Sequence, residues 1–137
     1  MTRSSLRTIA AIGCVAALLT LLAVSVAAAA YKTGRYKGTT SQGEAISFKA
    51  KQLGVKKFAF TVIVDCDDGS RFELKNSGGQ APTTDRGKFE AVFVGDGTTM
   101  LKGKLKRKRA EGTFESETTA PSGAPCSAGG DWSAKKR

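Results

Sequence analysis

Histidine is absent from all 137 residues. That removes the usual general base, the histidine-dependent catalytic triads and the commonest zinc ligand. Cysteine is scarce, with Cys14, Cys66 and Cys126 the only three. Beyond Tyr31 no segment repeats its apolar residues every 3.6 positions, so packed helices are not expected. Acid is in short supply too: 12 Asp and Glu stand against 22 Lys and Arg, a net charge of +10. Catalysis would have to rest on paired carboxylates or a Lys–Ser arrangement, and no spacing singles one out. The expectation is a protein that is not an enzyme and takes no cofactor and no metal.

Only one long apolar run exists, at the start of the chain. Arg3 and Arg7 precede Ile9 to Val26, which centres on Leu18, Leu19, Leu21 and Leu22. Ala27 to Ala30 follow, with Ala28 and Ala30 in the A-x-A spacing of a signal-peptidase site. Residues 1–30 are expected to be a signal peptide, and 31–137 a single exported domain. An uncleaved anchor is the first alternative, since the run reaches the spanning length of about 20 residues. It is Ala-rich, ends in small residues and has no immediate basic stop-transfer cluster. Lipid attachment at Cys14 is the second, but most of the apolar run follows that cysteine. A secreted or extracytoplasmic monomer with no stable membrane span after cleavage is expected.

Residues 31–137 keep 20 Lys and Arg against 12 Asp and Glu, a charge of +8 over 107 residues. That length makes one domain. Cys66 and Cys126 most simply form a disulfide in an exported chain. Closing a loop of that size contributes about 4 kcal/mol by the chain-entropy argument. Two free thiols are the alternative; a redox pair usually has its cysteines much closer in sequence.

Alternation with a period of two marks the strands. Gly34 to Thr40 is the first, then Ala45–Ala50 with Ile46 and Phe48 on one face. In Val55 to Cys66, the residues Phe58, Phe60, Val62, Val64 and Cys66 share a face. Arg71 to Lys75 turns Phe72 and Leu74 inward, and Lys88 to Val94 turns in Phe89, Ala91 and Phe93. Thr98 to Lys106 and Ala110 to Glu117 follow, and Trp132 with Ala134 marks a last short strand. Ser77 to Gly87 and Thr118 to Gly130, rich in Gly, Ser, Thr and Pro, are expected to be loops. Cys126 falls in the second, so the bridge is expected to tie that loop to the longest strand.

Loop lengths test the faces, because a slip of one residue turns every side chain over. A three-residue loop at Asp67-Asp68-Gly69 pairs Val64 with Phe72 and Val62 with Leu74, with Gly69 at its left-handed position. Gly95-Asp96-Gly97 pairs Ala91 with Leu101 and Glu90 with Lys102. A turn at Lys106 to Arg109 pairs Leu101 with Phe114 and Lys104 with Glu111. These registers describe an antiparallel meander of about eight strands. The fold class is all-β, an antiparallel β-sandwich or small β-barrel, with both forms open.

Three segments are candidates for function. Asp65, Asp67 and Asp68 before Gly69 resemble part of a calcium loop, but Gly69 stands where a third oxygen ligand is needed and no Glu closes the pattern. A polar turn accounts for them better. Lys102 to Arg109 reads Lys-Gly-Lys-Leu-Lys-Arg-Lys-Arg. Lys102, Lys104 and Lys106 share the solvent face, and Lys106, Arg107, Lys108 and Arg109 form a tip expected to pack against nothing. Such a tip can hold a polyanion. It can equally keep an edge soluble and unpaired, and Glu90 and Glu111 partly neutralise its strand. No aromatics are interleaved to stack on bases, so specific nucleic-acid recognition is not expected. Lys135-Lys136-Arg137 carries the same ambiguity. Val92, Val94 and Met100 form an outward apolar group that either a second layer covers or a partner meets.

The pieces Gly34-x-Tyr36-x-Gly38-Thr39-Thr40-x-Gln42-Gly43, Ile46-x-Phe48, Cys66-Asp67-Asp68-Gly69, Ala110-x-Gly112-Thr113-Phe114 and Cys126 before Trp132-x-Ala134 run from Gly34 to Lys136. In these the chain resembles a group of small secreted actinobacterial β-domain proteins with one disulfide and no assigned role. The resemblance implies an exported single β-domain and supplies no catalytic or binding residues. The run at 104–109 is more basic than that group leads one to expect.

Together these features lead to a non-enzymatic domain that binds an anionic envelope or matrix polymer, or an anionic surface, through Lys102, Lys104, Lys106, Arg107, Lys108 and Arg109. The runner-up is a barrel carrying an apolar small molecule, with Ala91, Gly103, Ala110 and Gly112 leaving room inside. A hydrolytic enzyme is a third and weaker alternative.

Overall fold

The computed structural model describes residues 31–137; the apolar leader and Cys14, with the signal-peptide expectation, lie outside the described residues. Eight strands follow in chain order: β1 Gly34–Thr40, β2 Ala45–Lys51, β3 Gly54–Cys66, β4 Arg71–Pro82, β5 Lys88–Val94, β6 Thr98–Lys106, β7 Arg109–Thr119 and β8 Pro125–Lys136. They form one antiparallel sheet in the order β4-β3-β2-β1-β8-β7-β6-β5, and the sheet closes into a small barrel.

Strand length brings two non-neighbouring strands together at one end. β1 and β2 have 7 residues each, β3 has 13 and β8 has 12. Past the β1–β2 turn, β3 and β8 therefore run on alone and meet. The turn itself bridges the gap on both sides. Ser41 N–H donates to the Asp131 carbonyl at 2.7 Å, and Asp131 N–H donates back to Ser41 Oγ at 3.1 Å. The Gln42 side-chain amide donates to the Ile63 carbonyl at 2.7 Å and accepts from Ile63 N–H at 2.9 Å, standing in for a strand residue. Beyond it β3 pairs with β8 directly, Asp65 with Ser127 and Cys66 with Cys126, and the two cysteines are bonded. The bridge thus joins two facing strand residues rather than a strand and a loop.

The three hairpins have the registers that their loop lengths demand. Val64 faces Phe72, Ala91 faces Leu101, Leu101 faces Phe114 and Lys104 faces Glu111. Gly69 has a φ of 84°, as a three-residue loop requires. Two expected loops are mostly strand. β4 continues through Ser77-Gly78-Gly79-Gln80 to Pro82, because β3 is long enough to pair that whole stretch. β8 begins at Pro125, pairing with Thr119, so only residues 120–124 form the connection. Low side-chain hydrophobicity hid both strands, since their backbones are held by longer neighbours. A bulge at Lys57, with φ of 55°, shifts the phase of β3 so that Val55 and Phe58 both face inward. β4 and β5 share no ladder. At that seam the Phe93 ring lies over Gly79, where a Cβ would stand 3.0 Å from Cε1 of the ring.

The interior is filled by aromatic side chains. Tyr36 stacks on Phe48 with centroids 5.3 Å apart, and Phe48 meets the edge of Trp132 at 5.7 Å. Phe93 packs against Phe58 at 5.3 Å and Phe60 at 5.0 Å. Phe58, Phe60, Val62, Phe89, Phe93, Leu101, Phe114 and Trp132 are buried, as their faces require, while Phe72 stays half-buried against the core. The inward glycines do not leave a hollow. A Cβ on Gly103 would stand 2.4 Å from Cζ2 of Trp132 and 2.6 Å from Cζ of Phe89, and one on Gly112 would meet the Lys102 carbonyl. Their missing side chains are replaced by neighbouring rings and backbone, so the space that a carrier would need is occupied here.

Candidate functional site

An up-and-down meander sends alternate turns to opposite ends of the barrel. At one end lie the β1–β2, β3–β4, β5–β6 and β7–β8 turns, whose only charged residues are Glu44, Asp67, Asp68 and Asp96. At the other lie Lys32 before β1, the β2–β3 turn after Lys51, Asp85 and Arg86 between β4 and β5, the tip of the β6–β7 hairpin, and the C-terminal Lys135-Lys136-Arg137. The chain is therefore electrically polarised along the barrel axis.

At the basic end the β6–β7 hairpin closes on a two-residue turn, Arg107-Lys108, between the paired Lys106 and Arg109. Arg107 has a φ of 51°, a left-handed conformation that favours glycine. The tip is not free-standing, contrary to what the sequence suggests. Lys32 N–H donates to the Arg107 carbonyl at 2.7 Å, and the Tyr36 hydroxyl donates to the same carbonyl at 3.0 Å and to that of Lys32 at 2.7 Å. Lys136 N–H donates to the Lys108 carbonyl at 2.8 Å, and Leu105 N–H to the Gly87 carbonyl at 2.9 Å. Tyr31 lies buried beneath, its hydroxyl 2.7 Å from the Lys51 carbonyl and 2.8 Å from Thr83 Oγ1. Burial, and secondarily the neighbouring Tyr31, holds the Tyr36 hydroxyl above the usual tyrosine range, so it stays a donor.

The tip contributes only its backbone carbonyls to these anchors, which leaves its charged side chains exposed. They line an open groove of about 1310 Å³. Lys104, Lys106, Arg107, Lys108 and Arg109 of the hairpin are joined there by Lys32 and Arg86, against only Asp85 and Glu111. Lys106 Nζ lies 3.3 Å from Glu111 Oε1, with both side chains mostly exposed. A pair of that kind holds the lysine only weakly. Of the residues expected to bind, Lys102 stands apart: it faces Glu90 and Thr113 on the barrel wall, outside the groove. Lys32, Arg86 and the C-terminal cluster are additions made by the fold. Their signal was the parity of the turns, which returns every second connection to the same end.

At the far end the Asp67-Asp68-Gly69 segment is a hydrogen-bonded turn. Asp68 Oδ1 accepts from Ser70 N–H at 2.9 Å and from the Ser70 hydroxyl, and Oδ2 accepts from the Ser122 hydroxyl. These bonds, that from Ser122 foremost, pull the Asp68 pKa down to about 2. Oδ1 is thus used within the β3–β4 turn, and Oδ2 ties that turn to the β7–β8 turn. Val92 and Val94 remain exposed on the outer face of β5.

No protein-family model, no curated protein and no solved structure matches the chain.

Proposed function

We propose that the protein is an exported binding domain that holds an anionic polymer of the cell envelope or matrix at the basic end of its barrel. The observation that carries this is the groove beside the β6–β7 hairpin, where seven cationic side chains from three parts of the chain outnumber two carboxylates. An array of cations that outnumber their carboxylates in a broad open groove suits a repeating anion better than a small enclosed ligand. The Cys66–Cys126 disulfide supports a place outside the cytoplasm, where such bonds persist. Among the described residues no helix is long and apolar enough to cross a membrane.

The test is reversal of Lys106, Arg107, Lys108 and Arg109 to Glu. The backbone bonds that hold the tip survive the change, so the barrel stays folded. Binding to cell-wall polymer or heparin beads should be salt-dependent in the parent protein and lost in the variant. Retention that is unchanged by the reversal would overturn the proposal.

A further inference from the structure

The groove continues as a line of cations across the barrel wall. Strand register places Lys56 of β3 opposite Lys49 of β2, and Lys49 opposite Arg35 of β1. Two residues further on the same face of β1, Lys37 stands opposite Lys135 of β8, and Lys135 opposite Arg109 of β7, at the hairpin. Four direct cross-strand pairs thus join like charges. Arg35, Lys37, Lys135 and Arg109 are exposed, and Lys49 and Lys56 are half-buried. Facing like charges destabilise a sheet, and opposite charges would serve solubility equally well. Further lysines crowd the same place: the Lys51 ammonium first, then Lys57, and last Lys56 of the pair, lower the Lys49 pKa below the ordinary lysine value.

Resting on the function proposed above, we infer that these residues form a track for a linear, densely charged polyphosphate-like chain that runs from the hairpin across β8, β1 and β2 to β3. Adjacent strands lie about 4.8 Å apart, so the track spans on the order of 20 Å and presents a cation at each strand. A ligand that short-circuits this repulsion must carry closely spaced negative charges along its length. Short anions fill the groove alone; long ones also reach Lys56.

The experiment replaces Lys56, Lys49 and Arg35 together with Gln, all of them outside the groove. Long-chain inorganic polyphosphate and tripolyphosphate are the probes. A control of equal charge change replaces Arg71, Lys75 and Lys102 with Gln. The track variant should lose about 2 from the slope of log affinity against log salt for the long chain, at roughly 0.7 per phosphate contact. Its affinity for tripolyphosphate should stay at the parent value, and its melting temperature should be unchanged or higher. The control should keep the parent slope. Equal losses in both variants, or an unchanged slope in the track variant, would overturn the track. Loss of long-chain binding in the hairpin reversal alone would leave the groove proposal standing, and insensitivity to that reversal would remove the groove proposal itself.

Discussion

The two ends of this barrel are built on opposite terms. The acidic end is cross-linked: the Cys66–Cys126 bond, the Gln42 amide in the β3–β8 gap and the Asp68 carboxylate each join segments distant in sequence. The basic end is held by main-chain bonds of Lys32 and Arg107 and by the Tyr31 and Tyr36 hydroxyls on backbone carbonyls, while its charged side chains are left with few partners. In one end side chains are used up in holding the fold. In the other the charged ones are held out by it. A small domain has a thin stability margin, and concentrating covalent and polar ties at one end leaves the other able to carry like-charge repulsion.

Removing the bond should give the largest effect on this contrast. Cys66→Ser opens a loop of 60 residues and should cost about 4 kcal/mol, measured by urea denaturation with and without reductant. Binding of polyphosphate by the fraction still folded should be unaltered, because the basic end shares none of those ties. The core that separates the ends comes next. Gly103→Ala drives a methyl into Trp132 and Phe89, and overpacking of this sort costs about 1–3 kcal/mol. Calorimetry measures it, and a red shift of Trp132 emission should accompany it.

A smaller effect concerns protons at the acidic end. Asp68 is depressed from 3.8 to about 2 by hydrogen bonds from Ser122 and Ser70. A carboxylate with a lowered folded pKa contributes stability above its unfolded value and loses it as pH falls through the folded one. The loss should therefore run from near pH 4 down to about 2, and Ser122→Ala should flatten it. Denaturation midpoints across that range check both statements. The smallest change in stability belongs to the basic end. Arg107→Gly relieves a φ of 51° and should stabilise the fold by at most about 1 kcal/mol. It should at the same time weaken polyphosphate binding, so stability and affinity move in opposite directions at one residue.

Strand faces, three hairpin registers and a pairing of Cys66 with Cys126 were all legible along the chain. Each depends on a local rule: side chains alternate with period two, and the length of a short loop sets which residues face each other. The barrel was not legible, because its end strands β4 and β5 meet through packing without a ladder, and β3 pairs with β8 only by outrunning the shorter β1 and β2, with Gln42 filling the gap. The glycine-rich first half of β8 and the end of β4 were hidden for a related reason. Their strand character comes from the backbone of a neighbour, which no side-chain pattern records. The sequence by itself determined that Lys104 to Arg109 form a basic hairpin. Only the tertiary structure decided that Lys32, Arg86 and Lys135 to Arg137 join it, and that Lys37 faces Lys135. Charges distant along the chain become neighbours through turn parity and long-range register, and both exist only once the sheet has closed.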